Sequence, residues 1–151
     1  MHFIVGVIDD PVDGAAEHRA ALNTPANRRF VQAYESKYAH VPSYYSEGTY
    51  TGGIVLKAAL EAIGGDAEDA GKLLAALRHV TLTDAPRGPV GFDEYGHPVE
   101  NIYVRRVERV DGKLQNTVIH TFPNVSQFWT YKPEEFLKLP PYDRNYPPVK
   151  P

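Results

Sequence analysis

The stretch from Val41 to Gly65, VPSYYSEGTYTGGIVLKAALEAIGG, carries the densest set of side chains suited to holding a small molecule. Tyr44, Tyr45 and Tyr50 offer flat rings that also carry a hydroxyl, so each can stack and hydrogen-bond. Glu47 is the one carboxylate among them. It suits an ammonium or hydroxyl group of a ligand, and plain solvation in a loop accounts for it equally well. Behind this segment, Ile54, Val55, Leu56, Ala58, Ala59, Leu60, Ala62 and Ile63 leave only Lys57 and Glu61 as a polar stripe. That pattern predicts a helix packed on more than one side. Gly64 and Gly65 end it, since glycine takes the left-handed conformation without a Cβ clash. A tyrosine-rich loop at the mouth of a buried helix builds one wall of a pocket.

Other chemistry is missing from the sequence. The chain has no cysteine, which rules out disulfides and thiolate catalysis. His2, His18, His40, His79, His97 and His120 have no partner at a metal-ligand spacing on one helix. The nucleophile elbow, the dinucleotide glycine motif and the phosphate-cradling lysine loop do not occur. Asp9, Asp13 and Gly14 fail as a calcium loop because Ala20 stands where the bidentate glutamate belongs. No cofactor, no metal and no catalytic set is therefore expected, and the chain reads as a non-enzyme. A formal charge of −3 argues against a nucleic-acid surface.

The 151 residues suit one ordinary α/β domain in which strands and helices alternate and a hairpin closes the ordered part. Phe3 to Ile8 reads as a buried strand of a parallel sheet, ended by Asp9-Asp10-Pro11. The chain opens inside that strand, as a piece of something longer would, and its first residues lack the pattern of a signal peptide. Thr24-Pro25 starts an amphipathic helix, with Phe30, Tyr34 and Tyr38 on its sheet-facing side; His40-Val41-Pro42 ends it. Asp66 caps a further helix that runs to His79. After the turn-rich span 84–99, Asn101 to Val110 and Leu114 to Phe122 are strands joined at Asp111-Gly112, a two-residue hairpin signal. The rest is an extended aromatic and proline-rich tail, with one turn at Pro133 to Leu137, anchored by Phe128 and Trp129.

Two separated runs carry a family resemblance. TPANRRFVQAYESKYAHVPSYYSEGTYTGGIVLKAALEAIG and RGPVGFDEYGHPVENIYVRRVERVDGKLQN resemble, in the right order, segments of the type I periplasmic binding proteins. These are the extracytoplasmic solute receptors of branched-chain amino-acid-type ABC transporters. The segment FPNVSQFWTYKPEEFL resembles a subset of them that takes aromatic solutes.

The resemblance implies part of a two-lobe fold of which this chain matches the final third. By analogy residues 1–40 finish the second lobe, 41–101 belong to the first, 102–122 are crossover hairpin strands and 123–151 form the tail. It also implies a periplasmic location, a membrane permease as partner and hinge closure around an amino acid or a small aromatic or organic acid. Tyr45, Glu47 and Tyr50, with Tyr44 beside them, are the cleft residues by position. Tyr50-Thr51 stands where many relatives have Tyr-Asp, so a carboxylate is missing there. Two other functions stay open: a ligand-sensing regulatory domain, and a truncated fragment that pairs with a second copy of itself and binds no solute.

Overall fold

Thr24 opens the first helix by accepting a hydrogen bond from the Asn27 backbone N–H (3.2 Å), with Pro25 at the first helical position, where its missing N–H is no loss. The computed structural model describes residues 3–5, 22–110 and 113–139, with side chains over 22–109 and 116–139. Asp9, Asp10, the loop that follows them and the tail beyond Leu139 lie outside the described residues. The elements, in order, are β1 (Phe3–Val5), α1 (Pro25–Tyr38), α2 (Tyr44–Ala62), α3 (Ala70–His79), β2 (Val90–Phe92), β3 (Pro98–Val110), β4 (Lys113–Val125) and α4 (Pro133–Phe136). The order is that of an α/β chain, as expected.

Helix α2 corrects the expected loop. Ser43 is its N-cap, accepting from the Ser46 N–H, while the Ser46 hydroxyl donates back to the Ser43 carbonyl (2.8 Å). Glu47 in the first turn faces the positive end of the helix dipole. Tyrosine, threonine and glycine are poor helix formers, but the cap and the packing of Thr51, Val55 and Ala59 outweigh propensity. Its end is as expected: Gly65 N–H bonds the Leu60 carbonyl and Gly64 N–H the Glu61 carbonyl, with both glycines at positive φ.

The expected cap of α3 moves by three residues. Asp69, not Asp66, accepts the Lys72 N–H (2.9 Å), and Asp66 pairs with the Lys72 ammonium instead.

The core forms where α2, α3 and β2 meet. Val55, Ala59 and Val80 are buried there, with Leu73, Leu77, Leu82 and Phe92 packed around them. Leu56 and Leu74 stay half-exposed, so α2 is not covered all round; its Val55–Ala59 side meets α3 and β2, and its Tyr50 side meets α1, which makes it a helix packed on more than one side. Helix α1 meets α2 rather than a sheet: Phe30 is buried against Tyr50, with ring centroids 4.7 Å apart.

The sheet also differs from expectation. All described pairings are antiparallel, including β1 with β3, whereas a parallel partner needs a crossover returning in the same direction. Glu100 pairs with Val90 on one edge and Val125 on the other, and Val104 likewise has Val5 and His120. So β1 and β2 lie end to end along one edge of β3 and β4 fills the other. Val110 pairs with Lys113, the register of a two-residue loop, so the hairpin expectation holds.

Asp93 ties the β2–β3 turn to the segment after β4. Its carboxylate accepts the Tyr95 and His97 N–H groups and the Gln127 amide (2.7 Å). Partial desolvation pushes this carboxyl up, but the bonds from Gln127, His97 and Tyr95 together hold it below its ordinary value. Such a group lends stability above its unfolded pKa and loses it as pH falls through the lowered folded value. We therefore expect the urea midpoint to fall on acidification below about pH 4. Asp93→Asn should flatten that fall; an unchanged profile would mean that these bonds do not favour the charged form.

Candidate functional site

Helix periodicity sorts the four sequence candidates into different environments. At about 100° per residue, Tyr44, Glu47, Thr51 and Val55 share one side of α2, while Tyr50 lies roughly a third of a turn round from Tyr44. Tyr44 and Tyr45 border a cleft of about 480 Å³ between the start of α2, the loop before β2 and the first residues of β3. Val55, Val90 and Phe92 supply its apolar floor, and Arg87 and Glu100 its charged wall. Tyr45 stands at the rim, 81% exposed.

Tyr50 belongs elsewhere. With Phe30, Tyr34, Tyr38 and Lys37 it lines a second depression of about 600 Å³ between α1 and α2. Phe30, Tyr34 and Tyr38 stack along α1 with centroid spacings of 5.9 and 4.6 Å, as their four-residue spacing predicts. Thus the structure brings Tyr44, Tyr45 and Glu47 together and leaves Tyr50 apart.

Glu47 is not free to meet a ligand. Arg87 donates to it through Nε and Nη2, and the Thr51 hydroxyl donates to its other oxygen. Arg87 Nη1 reaches Glu100 Oε2 at 2.9 Å. All three charged side chains are nearly buried, at 12–13% exposure. Burial opposes the Arg87 charge, but the bonds and attraction of Glu47 and Glu100 outweigh it and hold the guanidinium charged still more firmly than usual. Tyr44 lies over the guanidinium, 5.5 Å from ring centroid to Cζ, close enough for a cation–π contact. Gly48 makes room for this arrangement, since a Cβ there would stand 3.3 Å from Arg87 Nη2.

Sequence reasoning missed Arg87 and Glu100. They come from a turn and a strand 40 and 53 positions beyond Glu47, and no local pattern announces a pairing at that range. The one available signal was a lone arginine between Pro86 and Gly88-Pro89, where turn formers rather than charges dominate.

The loop that delivers Arg87 depends on glycine. Gly88 sits at φ 99°, and a Cβ there would lie 2.7 Å from the Tyr103 hydroxyl. That hydroxyl donates to the Arg87 carbonyl at 2.9 Å. Gly88→Ala should therefore cost roughly 1–3 kcal/mol from the backbone conformation alone, and more if the Tyr103 bond breaks. Urea unfolding reads this directly, and a change below about 0.5 kcal/mol would show that the loop re-forms freely.

Among the described residues, no cluster of His, Asp or Glu could hold a metal, and no helix is long and apolar enough to cross a membrane. The arrangement is an open cleft with an aromatic rim, an apolar floor and one nearly buried guanidinium.

Residues 9–113 match the model of a family described as periplasmic binding proteins, and the chain belongs to that family. The family comprises solute-binding proteins of ABC transporters, which are not enzymes and act outside the cytoplasm. An ABC transporter substrate-binding protein from Sphaerobacter thermophilus is 34% identical, with a TM-score of 0.66, over 70% of this chain and 29% of that one. A solute binding protein of an ABC transporter from Rhodopseudomonas palustris BisB5, in complex with 3,4-dihydroxybenzoic acid, is 36% identical, with a TM-score of 0.66, over 71% and 29%. The leucine binding protein LivK from Thermotoga maritima MSB8 shares the fold at 24% identity and a TM-score of 0.53, over 71% and 29%. The chain thus spans 29% of the length of each of these proteins. No curated protein matches it.

Proposed function

We propose that this chain is part of a periplasmic solute receptor that serves an ABC uptake transporter and binds a small aromatic acid. The observation that carries the solute class is the 36% identity, over 71% of the chain, with a protein in complex with 3,4-dihydroxybenzoic acid. The cleft supports it. Tyr44 and Tyr45 offer ring faces at the entrance, and Arg87, held between Glu47 and Glu100, would meet a solute carboxylate in competition with Glu100. Glu47 acts here as the group that positions Arg87, and Tyr50 as a packing partner of Phe30. Binding occurs without catalysis, and closure of two lobes about the solute is what the membrane permease reads. On this reading 41–101 forms part of one lobe, and β3 and β4, at 13 residues each, run roughly 44 Å as the crossover.

A thermal-shift titration of the chain tests this. 3,4-Dihydroxybenzoate should raise the melting point saturably, worth about 2.7 kcal/mol at a hundredfold excess over its Kd. Leucine, the competing solute class, should leave it unmoved. A sharp melt that no aromatic acid shifts would refute the proposal for this chain.

A second reading, association of two copies of the chain, is favoured by one observation. Tyr38, Tyr50, Leu56 and Leu74, on α1, α2 and α3, are each 44–50% exposed, apolar surface that a second copy could cover. Sedimentation velocity separates it from the first: a concentration-dependent dimer supports it, a monomer at all concentrations rejects it.

A further inference from the structure

Arg87 also stands beside a break in the register of the β3–β4 hairpin. Glu100 pairs with Val125 and Ile102 with Phe122, so β4 carries an extra residue at Pro123-Asn124. Proline cannot donate to the ladder, and a bulge is where a strand tolerates it. Asn124 takes the left-handed conformation there, at φ 52°. A continuous line of hydrogen bonds joins this bulge to the cleft. The Asn124 N–H donates to Asn101 Oδ1 (3.1 Å), and Asn101 Nδ2 donates to the Tyr103 hydroxyl (3.3 Å). That hydroxyl donates to the Arg87 carbonyl, and the Arg87 guanidinium holds Glu100 on the near side of the bulge. Arg87 therefore grips β3 at two points, Glu100 through its side chain and Tyr103 through its backbone, with the register break between them. Tyr103 is 5% exposed, so its hydroxyl has no competing bulk water.

The guanidinium also has a defined capacity. Glu47 takes the Nε–Nη2 fork and Glu100 one N–H of Nη1, so an incoming carboxylate would have to meet the remaining Nη1–Nη2 edge directly beside Glu100 and contest it with that carboxylate. We propose that Arg87 couples solute binding to the bend of the hairpin: the solute carboxylate displaces Glu100 from Nη1, and the loss of that grip loosens the bulge through Tyr103 and Asn101. The proposal rests on the aromatic-acid reading above and names how that site would signal its occupancy. Tyr103 is then a positioning residue, touching the relay and not the solute.

Two variants test it, read by calorimetric titration with 3,4-dihydroxybenzoate and by residue-resolved amide exchange at Asn124. Glu100→Gln removes the charge that competes with the solute. It should tighten binding by about threefold or more, because like charges no longer meet at Arg87. Tyr103→Phe keeps the ring and removes only the hydroxyl. Without solute it should speed Asn124 exchange by about three- to tenfold, the range for one hydrogen bond. With solute it should abolish the further acceleration that the unaltered chain shows. Unchanged or weaker binding by Glu100→Gln overturns the competition at Nη1. Ligand-free Asn124 exchange that ignores Tyr103→Phe overturns the relay itself. If the unaltered chain binds no aromatic acid, the solute reading fails and the coupling with it, a result separate from the ligand-free exchange.

Discussion

Replacing Arg87 with methionine will cost roughly 3–5 kcal/mol of folding stability, because it leaves two nearly buried carboxylates without their partner. Glu47 and Glu100 are each only 13% exposed and both point at the same guanidinium. Thr51 remains as the one hydroxyl donor to Glu47. The pair of carboxylates would then repel each other across the vacated space. Urea unfolding measures the loss, and a cost under 1 kcal/mol would mean that water reaches the site and screens it as at a surface. The same physics gives a sharper check. Replacing all three groups by Arg87→Met, Glu47→Gln and Glu100→Gln should recover most of the stability, since the largest penalty comes from unpaired charge and not from the missing attraction. If the triple variant is as unstable as Arg87→Met, the contact of the guanidinium with the Tyr44 ring matters more than its ion pairs.

Phe128→Ala will cost about 3–5 kcal/mol, the range for deleting a buried aromatic ring, whereas Trp129→Ala will cost far less. Phe128 is 4% exposed and is met edge-on by Tyr95 at 5.4 Å and Phe136 at 5.6 Å. It pins the segment after β4 to the β2–β3 turn, and the Asp93–Gln127 bond fastens the same two pieces. Trp129 is 50% exposed and meets Phe122 along one edge only. Both residues were expected as anchors from their size, and burial makes the distinction between them. Near-ultraviolet circular dichroism with urea unfolding would follow both variants. Equal losses would contradict the difference in burial.

Much of the backbone was legible in the sequence because its signals are local. A cap needs a side chain three residues from an N–H, so Thr24-Pro25 marked the start of α1 and Gly64-Gly65 the end of α2. A two-residue turn needs Asp-Gly between alternating strands, and Val110 does pair with Lys113 across it. The start of α2 misled because Tyr-Tyr-Ser-Glu-Gly-Thr-Tyr has weak helix propensity, and the Ser43 cap with buried Thr51 and Val55 decides the matter. The parallel strand misled because an apolar run fixes burial but not the direction of its neighbour.

By itself, then, the sequence determined the boundaries set by caps and glycines, the hairpin, and membership of the binding-protein family. The tertiary structure alone decided which side chains share a site. Tyr44 and Tyr50 are six residues apart and face different clefts, because 3.6 residues per turn carries them to different sides of α2. Glu47, Arg87 and Glu100 are far apart in the chain and meet in one nearly buried ion cluster. The physical reason is range. Caps and turns close over three or four residues and leave their mark in the local sequence, while an ion pair across 40 residues exists only once packing has placed both partners and excluded the water between them.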